Sequence, residues 1–177
     1  MMRSIQMTIR KTKKQDLSRV MQIYEEGRAF MRETGNPDQW TNGHPAQTLI
    51  EADIEAGNSY VCLKDDKIVA VFYFNVEEDP TYKKIDGSWP NDQPYAVIHR
   101  IARGVDGKGS GEFCIKWCCQ QYPNVRIDTH KDNGPMMTLM ERLGFIRCGI
   151  IWLANGDERV AFQWRSDIIP SISPSSK

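Results

Sequence analysis

The chain has 177 residues, 40% of them hydrophobic and 26% charged, enough for one folded domain with its own core and too apolar for a disordered segment. Lys+Arg and Asp+Glu both total 23, so no global charge draws the protein to nucleic acid or an anionic membrane, and neither partner is expected. The N-terminal run MMRSIQMTIRKTKKQD lacks the apolar core of a secretory signal, and the most apolar stretch, 68–74, is far too short to span a bilayer; a soluble cytoplasmic protein is expected.

In chain order, residues 5–11 alternate weakly and read as a first strand. Asp16 is placed to cap an amphipathic helix whose apolar residues Leu17, Val20, Met21, Ile23, Tyr24 and Phe30 recur at helical spacing. Gly35, Asn36 and Pro37 end it, and a loop through 45 carries Trp40 and His44. Pro45 opens a second helix through Leu49 and Ile54, stopped by Gly57 and Asn58. Residues 60–64 and 68–76 form a hairpin across Asp65-Asp66. A polar loop over 77–94 contains Trp89. Then follow a strand at 95–102, a glycine-rich turn over 104–111, a helix at 112–121 and a strand at 125–129. A helix over 135–143 stops at Gly144, and two strands near 145–153 and 159–165 turn at Asn155-Gly156. The order β-α-α-β-β-β-α-β-α-β-β, hairpins mixed with βα units, predicts a mixed α/β sheet carrying helices on its faces.

Five cysteines, an odd number without CxxC spacing, and three scattered histidines make no zinc-ligand pattern. Reduced, buried thiols and no metal are expected.

The sharpest chemical signal is Asp106-Gly107-Lys108-Gly109-Ser110-Gly111 between a strand and a helix. Glycines let the backbone curl so that successive N–H groups point inward, and the helix N-terminus adds partial positive charge. Such a nest suits a pyrophosphate, although a flexible strand–helix turn gives the same signal. Spacing rejects a P-loop, because Ala102 stands at its first glycine and Gly109 follows Lys108. It also rejects a Rossmann fingerprint, because Glu112 stands at the third glycine.

The turn resembles that of the GNAT superfamily of acyl-CoA N-acyltransferases, Arg/Gln-x-x-Gly-x-Gly/Ala, with Gly109 and Gly111 matching and Asp106 in place of the basic or amide residue. A second block, from Asn133 through Met136, Leu139, Met140 and Glu141 to Gly144-Phe145, resembles the family's Asn-x-x-Ala-x-x-Leu-Tyr-Glu-x-x-Gly-Phe, with Met136 for Ala and Met140 for Tyr. The resemblance spans roughly residues 8–165. It implies a GNAT fold over 5–166, with a largely antiparallel central sheet and helices on both faces, followed by a flexible Pro/Ser-rich tail at 167–177.

The resemblance further implies acetyl-CoA as co-substrate and direct acetyl transfer to a primary amine of a small acceptor, and it is compatible with a homodimer. The amides of Asp106, Gly107, Lys108, Gly109, Ser110 and Gly111 are then expected on the pyrophosphate. Ile101, Ala102 and Arg103 are expected along the pantetheine arm, with an oxyanion donor near Ile101, and Asn133 and Met140 also beside CoA. Met140 cannot replace the family Tyr as proton donor to the thiolate. His99, two residues before Ile101 and on its face by strand alternation, is a candidate proton relay or a structural histidine. His130 is a candidate for the gap between strands, or a turn stabiliser. Arg100 should face the other way and pair with a carboxylate. Phe30, Trp40 and Trp89 occupy segments that wall the acceptor site in the family, or anchor loops. No acidic cluster is evident in those segments. A CoA-binding sensor of the same fold that has lost catalysis is the rival reading; the Asn133–Phe145 block argues against an unrelated phosphate-ligand module.

Overall fold

The computed structural model describes residues 5–166; the tail expected at 167–177 lies outside them. In chain order the elements are β1 (Met7–Lys11), α1 (Leu17–Glu33), α2 (Gln47–Glu55), β2 (Ser59–Lys64), β3 (Lys67–Val76), β4 (Asp86–Gly87), β5 (Ala96–Arg103), α3 (Ser110–Gln121), β6 (Asn124–Thr129), α4 (Gly134–Arg142), β7 (Ile146–Trp152) and β8 (Glu158–Arg165). The strands form one sheet in the order β1-β2-β3-β5-β6-β8-β7-β4. Every neighbouring pair is antiparallel except β5 and β6, which run parallel because α3 carries the chain back between them. This is the expected mixed, largely antiparallel architecture.

Helices cover both faces. On one, Val20, Ile23 and Tyr24 of α1 and Ile50 of α2 pack on Val61, Val71 and Ala102. On the other, Cys114, Ile115 and Cys118 of α3 and Met140 of α4 pack on Cys62, Phe72, Phe74, Ala96 and Ile98. A third cluster, Tyr82, Tyr95, Val97, Ile151 and Ala161, is closed by the segment between β3 and β5. All five cysteines are free, four of them buried. No described helix is long and apolar enough to cross a membrane.

The β2–β3 hairpin turns on Asp65 and Asp66, both at positive φ (49° and 68°), the backbone hand that follows strand twist. Asp16 does not cap α1. Its carboxylate turns back to accept the Lys13 N–H at 2.7 Å and the Arg10 guanidinium at 2.7 and 3.2 Å. The short β4, read from sequence as loop, pairs with β7 where Gly87 lies opposite Gly149. Both glycines have positive φ (133° and 145°) and each faces the other strand's backbone too closely for a Cβ. Two residues are too few for a periodic signal.

The feature that shapes the centre of the sheet is a bulge in β5. Val71 pairs with Ala102 but Tyr73 pairs with His99, so Arg100 and Ile101 together oppose Phe72. Arg100 takes φ 49°, and the Tyr24 hydroxyl donates to its carbonyl at 2.8 Å. The extra residue breaks the alternation. His99, its ring tilted against Tyr73 at 5.8 Å, and Arg100, over the same Tyr73 ring, lie on the α1/α2 face, whereas Ile101 packs toward α3. His99 and Ile101 therefore lie on opposite faces, contrary to the expectation from strict alternation. Replacing Tyr24 by Phe leaves the Arg100 carbonyl without its donor; a loss of about 1–3 kcal/mol is expected in chemical denaturation.

Candidate active site

β5 and β6 pair only at Ala96–Val125 and Val97–Arg126. Beyond Val97 they diverge, leaving the rest of the β5 edge without a partner strand among the described residues. The Gly104 N–H donates to the Val69 carbonyl at 2.8 Å, which sets the ladder phase: Ala102 bonds to β3, while Ile101 and Arg103 direct their N–H groups to the opened edge.

At one end of this opening lies the turn from β5 into α3. Gly107 and Ser110 are buried. Their backbones brace it through Gly107 N–H to Gly104 O at 3.0 Å and Ser110 N–H to Gly107 O at 2.9 Å, and the Ser110 hydroxyl also donates to Gly107 O. Gly109 takes φ 83° immediately before α3. No protein acceptor among the described residues takes the N–H of Lys108, Gly111 or Glu112. A side chain at Gly111 would meet nothing within 4 Å. Open first-turn amides with free space beside them form an anion cradle. Glu112 does not cancel it, since its carboxylate is met by Lys116 at 3.5 Å and Arg142 at 3.4 Å.

From the cradle an apolar groove of about 150 Å³ runs between Gly111, Phe30, Ile101, Ala102, Pro135, Met136 and Leu139. It shares Trp40, Ile101, Asn133 and Met136 with a polar cavity of about 590 Å³ at the divergence of the strands. In that cavity the His99 Nε2 lies 2.8 Å from Asp79 Oδ2, and the other oxygen of Asp79 accepts the Thr81 N–H at 2.8 Å and hydroxyl at 2.6 Å. Burial raises the Asp79 carboxyl, but the bonds from His99 and Thr81 outweigh it and bring it down to about 2. Across the gap, Asp128 accepts the Tyr82 hydroxyl at 2.6 Å; burial dominates there and raises the carboxyl. Arg100 is held in a two-pronged pair by Asp53, both contacts 2.9 Å. Burial, then Arg100, Arg159 and Arg28, push His44 toward its neutral form.

No family model and no curated sequence matches this chain. Among solved structures it is similar to an acetyltransferase of the GNAT family from Streptococcus agalactiae 2603, at 27% identity and TM-score 0.83 over 91% of this chain and 96% of that one. A GNAT-family acetyltransferase from Listeria monocytogenes 4b F2365 superposes with TM-score 0.68 at 17% identity, covering 90% of this chain and 94% of its own. The ribosomal-protein-S18-alanine N-acetyltransferase of Escherichia coli shares the fold at TM-score 0.58 and 16% identity, over 90% of this chain and 94% of that one. The chain has the fold and motif order of the GNAT superfamily. Its neighbours support an acyltransferase, with acetyl-CoA implied by the family.

Within this GNAT frame the expected site residues separate. His99, Ile101, Trp40 and Asn133 line the polar cavity, and Phe30, Ala102, Arg103 and Gly111 line the groove. Asp106, Lys108 and Gly109 are exposed on the turn. Asn133 spends its amide on the fold: Oδ1 accepts the Met136 N–H at 3.2 Å and Nδ2 donates to Gln39 at 3.0 Å. Three residues fall elsewhere. Met140 is fully buried in the core and lines neither groove nor cavity. His130 lines a different depression with Asp38, Lys131 and Arg147, its Nδ1 accepting the Asp132 N–H at 3.0 Å. Trp89 donates to the Tyr82 carbonyl at 2.9 Å and covers Arg126 at 4.0 Å, which makes it a loop anchor.

Sequence reading missed Asp79, Asp128, Gln39 and Arg159. Asp79 carried one usable cue, Asp-Pro-Thr opening a turn. Gln39 accepts bonds from Asn36, Thr129 and Asn133 and so ties the Trp40 loop to β6 and α4; no local pattern announces that. No cluster of three or more potential metal ligands occurs among the described residues.

A carboxylate depressed in the folded state adds stability that is complete above its ordinary range near 4 and fades as pH falls toward its folded value of about 2. Denaturation midpoints taken from neutral to acid pH should therefore show a smaller acid-side loss for Asp79→Asn than for the unaltered protein, together with a lower midpoint at neutral pH.

Proposed function

We propose that the protein is an N-acetyltransferase that moves acetyl from acetyl-CoA to a primary amine of a small acceptor by direct attack. One observation carries this reading: the opened β5 edge joins an anion cradle at α3 to a polar cavity containing a histidine–carboxylate pair. The open amides of Lys108, Gly111 and Glu112 and the free space at Gly111 fit a pyrophosphate. The narrow apolar groove fits the arm that links it to the thioester. Acetyl-CoA supplies an acetyl group already activated as a thioester.

The remaining work falls to the protein's own residues. The Ile101 and Arg103 amides, turned to the opened edge, orient the arm, and the Ile101 N–H is the donor available to a carbonyl oxygen beside it. Trp40 and Met136 wall the junction of groove and cavity and exclude water. His99 handles the proton. An ammonium near pKa ~10 has no lone pair for attack. Asp79 can only accept, so Nε2 of His99 carries the hydrogen of that bond, which leaves Nδ1 as the free acceptor in the neutral ring. Met140, buried and without a hydroxyl, supplies no acid. That observation favours one competitor, a CoA-binding sensor that holds acetyl-CoA without transferring it.

Thiol release from acetyl-CoA in the presence of a panel of primary amines separates the two: amine-dependent release is expected, and CoA binding without it would establish the sensor. Gly111→Val fills the cradle without the strain of a positive-φ position and should weaken CoA on the order of tenfold or more in calorimetry, with the fold intact. His99→Gln keeps a hydrogen-bonding group but removes the ring nitrogen that accepts the proton. Turnover, read as amine-dependent thiol release, should fall by about 10²–10⁴-fold, with acetyl-CoA affinity unchanged.

A further inference from the structure

We infer that the acceptor is a small amine bearing a carboxylate, an amino acid or close relative, and that Arg159 holds that carboxylate; this rests on the acetyltransferase reading above. Arg159 opens the body of β8 and is only 5% exposed, yet it lines the polar cavity. A guanidinium is a cation, and a buried charge is ordinarily paired. Nη1 donates to the Glu158 carbonyl at 2.9 Å and Nη2 to the Gln39 carbonyl at 3.2 Å. Both acceptors are neutral. No carboxylate among the described residues lies within ion-pairing distance of it. Five donors less these two leave three for a ligand.

The other charges of the cavity are already engaged. Arg100 is taken by Asp53, Asp79 by His99 and Thr81, and Asp128 by Tyr82, while Asp157 accepts from Asn155 at 3.1 Å in the turn between β7 and β8. Arg159 is thus left, among the cavity's described cations, without a salt bridge: the nearby Asp128, whose carboxyl it acts on through space, is hydrogen-bonded to Tyr82 and makes no direct contact with the guanidinium. A planar guanidinium matches a carboxylate in a two-pronged fashion. Its tether is rigid, because Gln39 is itself bound to Thr129 and Asn133. Three aspartates in the same cavity oppose a dianion and so favour a carboxylate over a phosphate. A cavity with a guanidinium that no carboxylate contacts directly and a histidine–carboxylate proton acceptor complements an amine and a carboxylate on one molecule.

The test compares proteinogenic amino acids with their amides, their decarboxylated amines and an aminoalkyl phosphate. Thiol release and calorimetric binding in the presence of CoA are read separately. At least one amino acid should exceed its amide and amine by about 30-fold or more, the scale of a buried charge pair. Arg159→Gln should erase that preference, while Arg159→Lys, which keeps the charge and a donor for the Gln39 carbonyl, should retain part of it. Arg159-dependent binding without thiol release would support this inference and overturn acetyl transfer. Acetylation of plain amines with no carboxylate preference, a preference surviving in a folded Arg159→Gln protein, a stronger response to the phosphate, or no amino acid bound at all would each overturn it.

Discussion

Two parallel strands that hydrogen-bond for two residue pairs and then part company govern the layout of this protein. A sheet interior normally satisfies both edges of every strand. Here the β5 edge beyond Val97 is left open, and a groove and a cavity occupy the space a continuing ladder would close. The bulge at Arg100 belongs to the same event. With Arg100 and Ile101 opposing one residue of β3, the strand turns Arg100 toward Asp53 and Ile101 toward the α3 side just where the edge opens. Tyr24, reaching from α1 to the Arg100 carbonyl, holds the irregular backbone in place.

Around this opening the polar groups are arranged by charge. The α3 end presents amides, whose partial positive charge suits phosphates. The cavity end presents carboxylates, histidines and arginines, most of them committed to each other. Asp79 stays ionised because His99 and Thr81 outweigh the effect of burial, whereas burial prevails at Asp128. Two carboxylates facing one gap thus shift in opposite directions, one through its hydrogen bonds and the other through burial.

The loop carrying Trp40 shows how a flexible-looking segment becomes part of a wall. Gln39 accepts side-chain hydrogen bonds from β6 and from the residue preceding α4, and its carbonyl accepts from Arg159 of β8. Trp40 meets Tyr24 edge-on at 5.8 Å. The loop thus links both helical faces to the cavity.

Local sequence was sufficient for the repeating elements, because periodic apolar spacing, the Asp65-Asp66 and Asn155-Gly156 turns and the glycines before α3 each act within a few residues. The motif order around Gly109–Gly111 and Asn133–Phe145 likewise pointed to the superfamily. What depends on long-range register was not legible. Alternation placed His99 and Ile101 on one face, and only pairing with β3 reveals the bulge that separates them. Motif spacing put Met140 beside CoA, but helix packing turns it into the core. The cavity's decisive partners, Asp79 with His99 and Gln39 with Arg159, are distant in sequence; the first pair meets because β3 lies beside β5, the second because the loop after α1 is tied to Thr129 of β6, next to β8. A one-dimensional pattern encodes which side chains exist and how each element repeats; which charges remain unpaired is decided by tertiary neighbours.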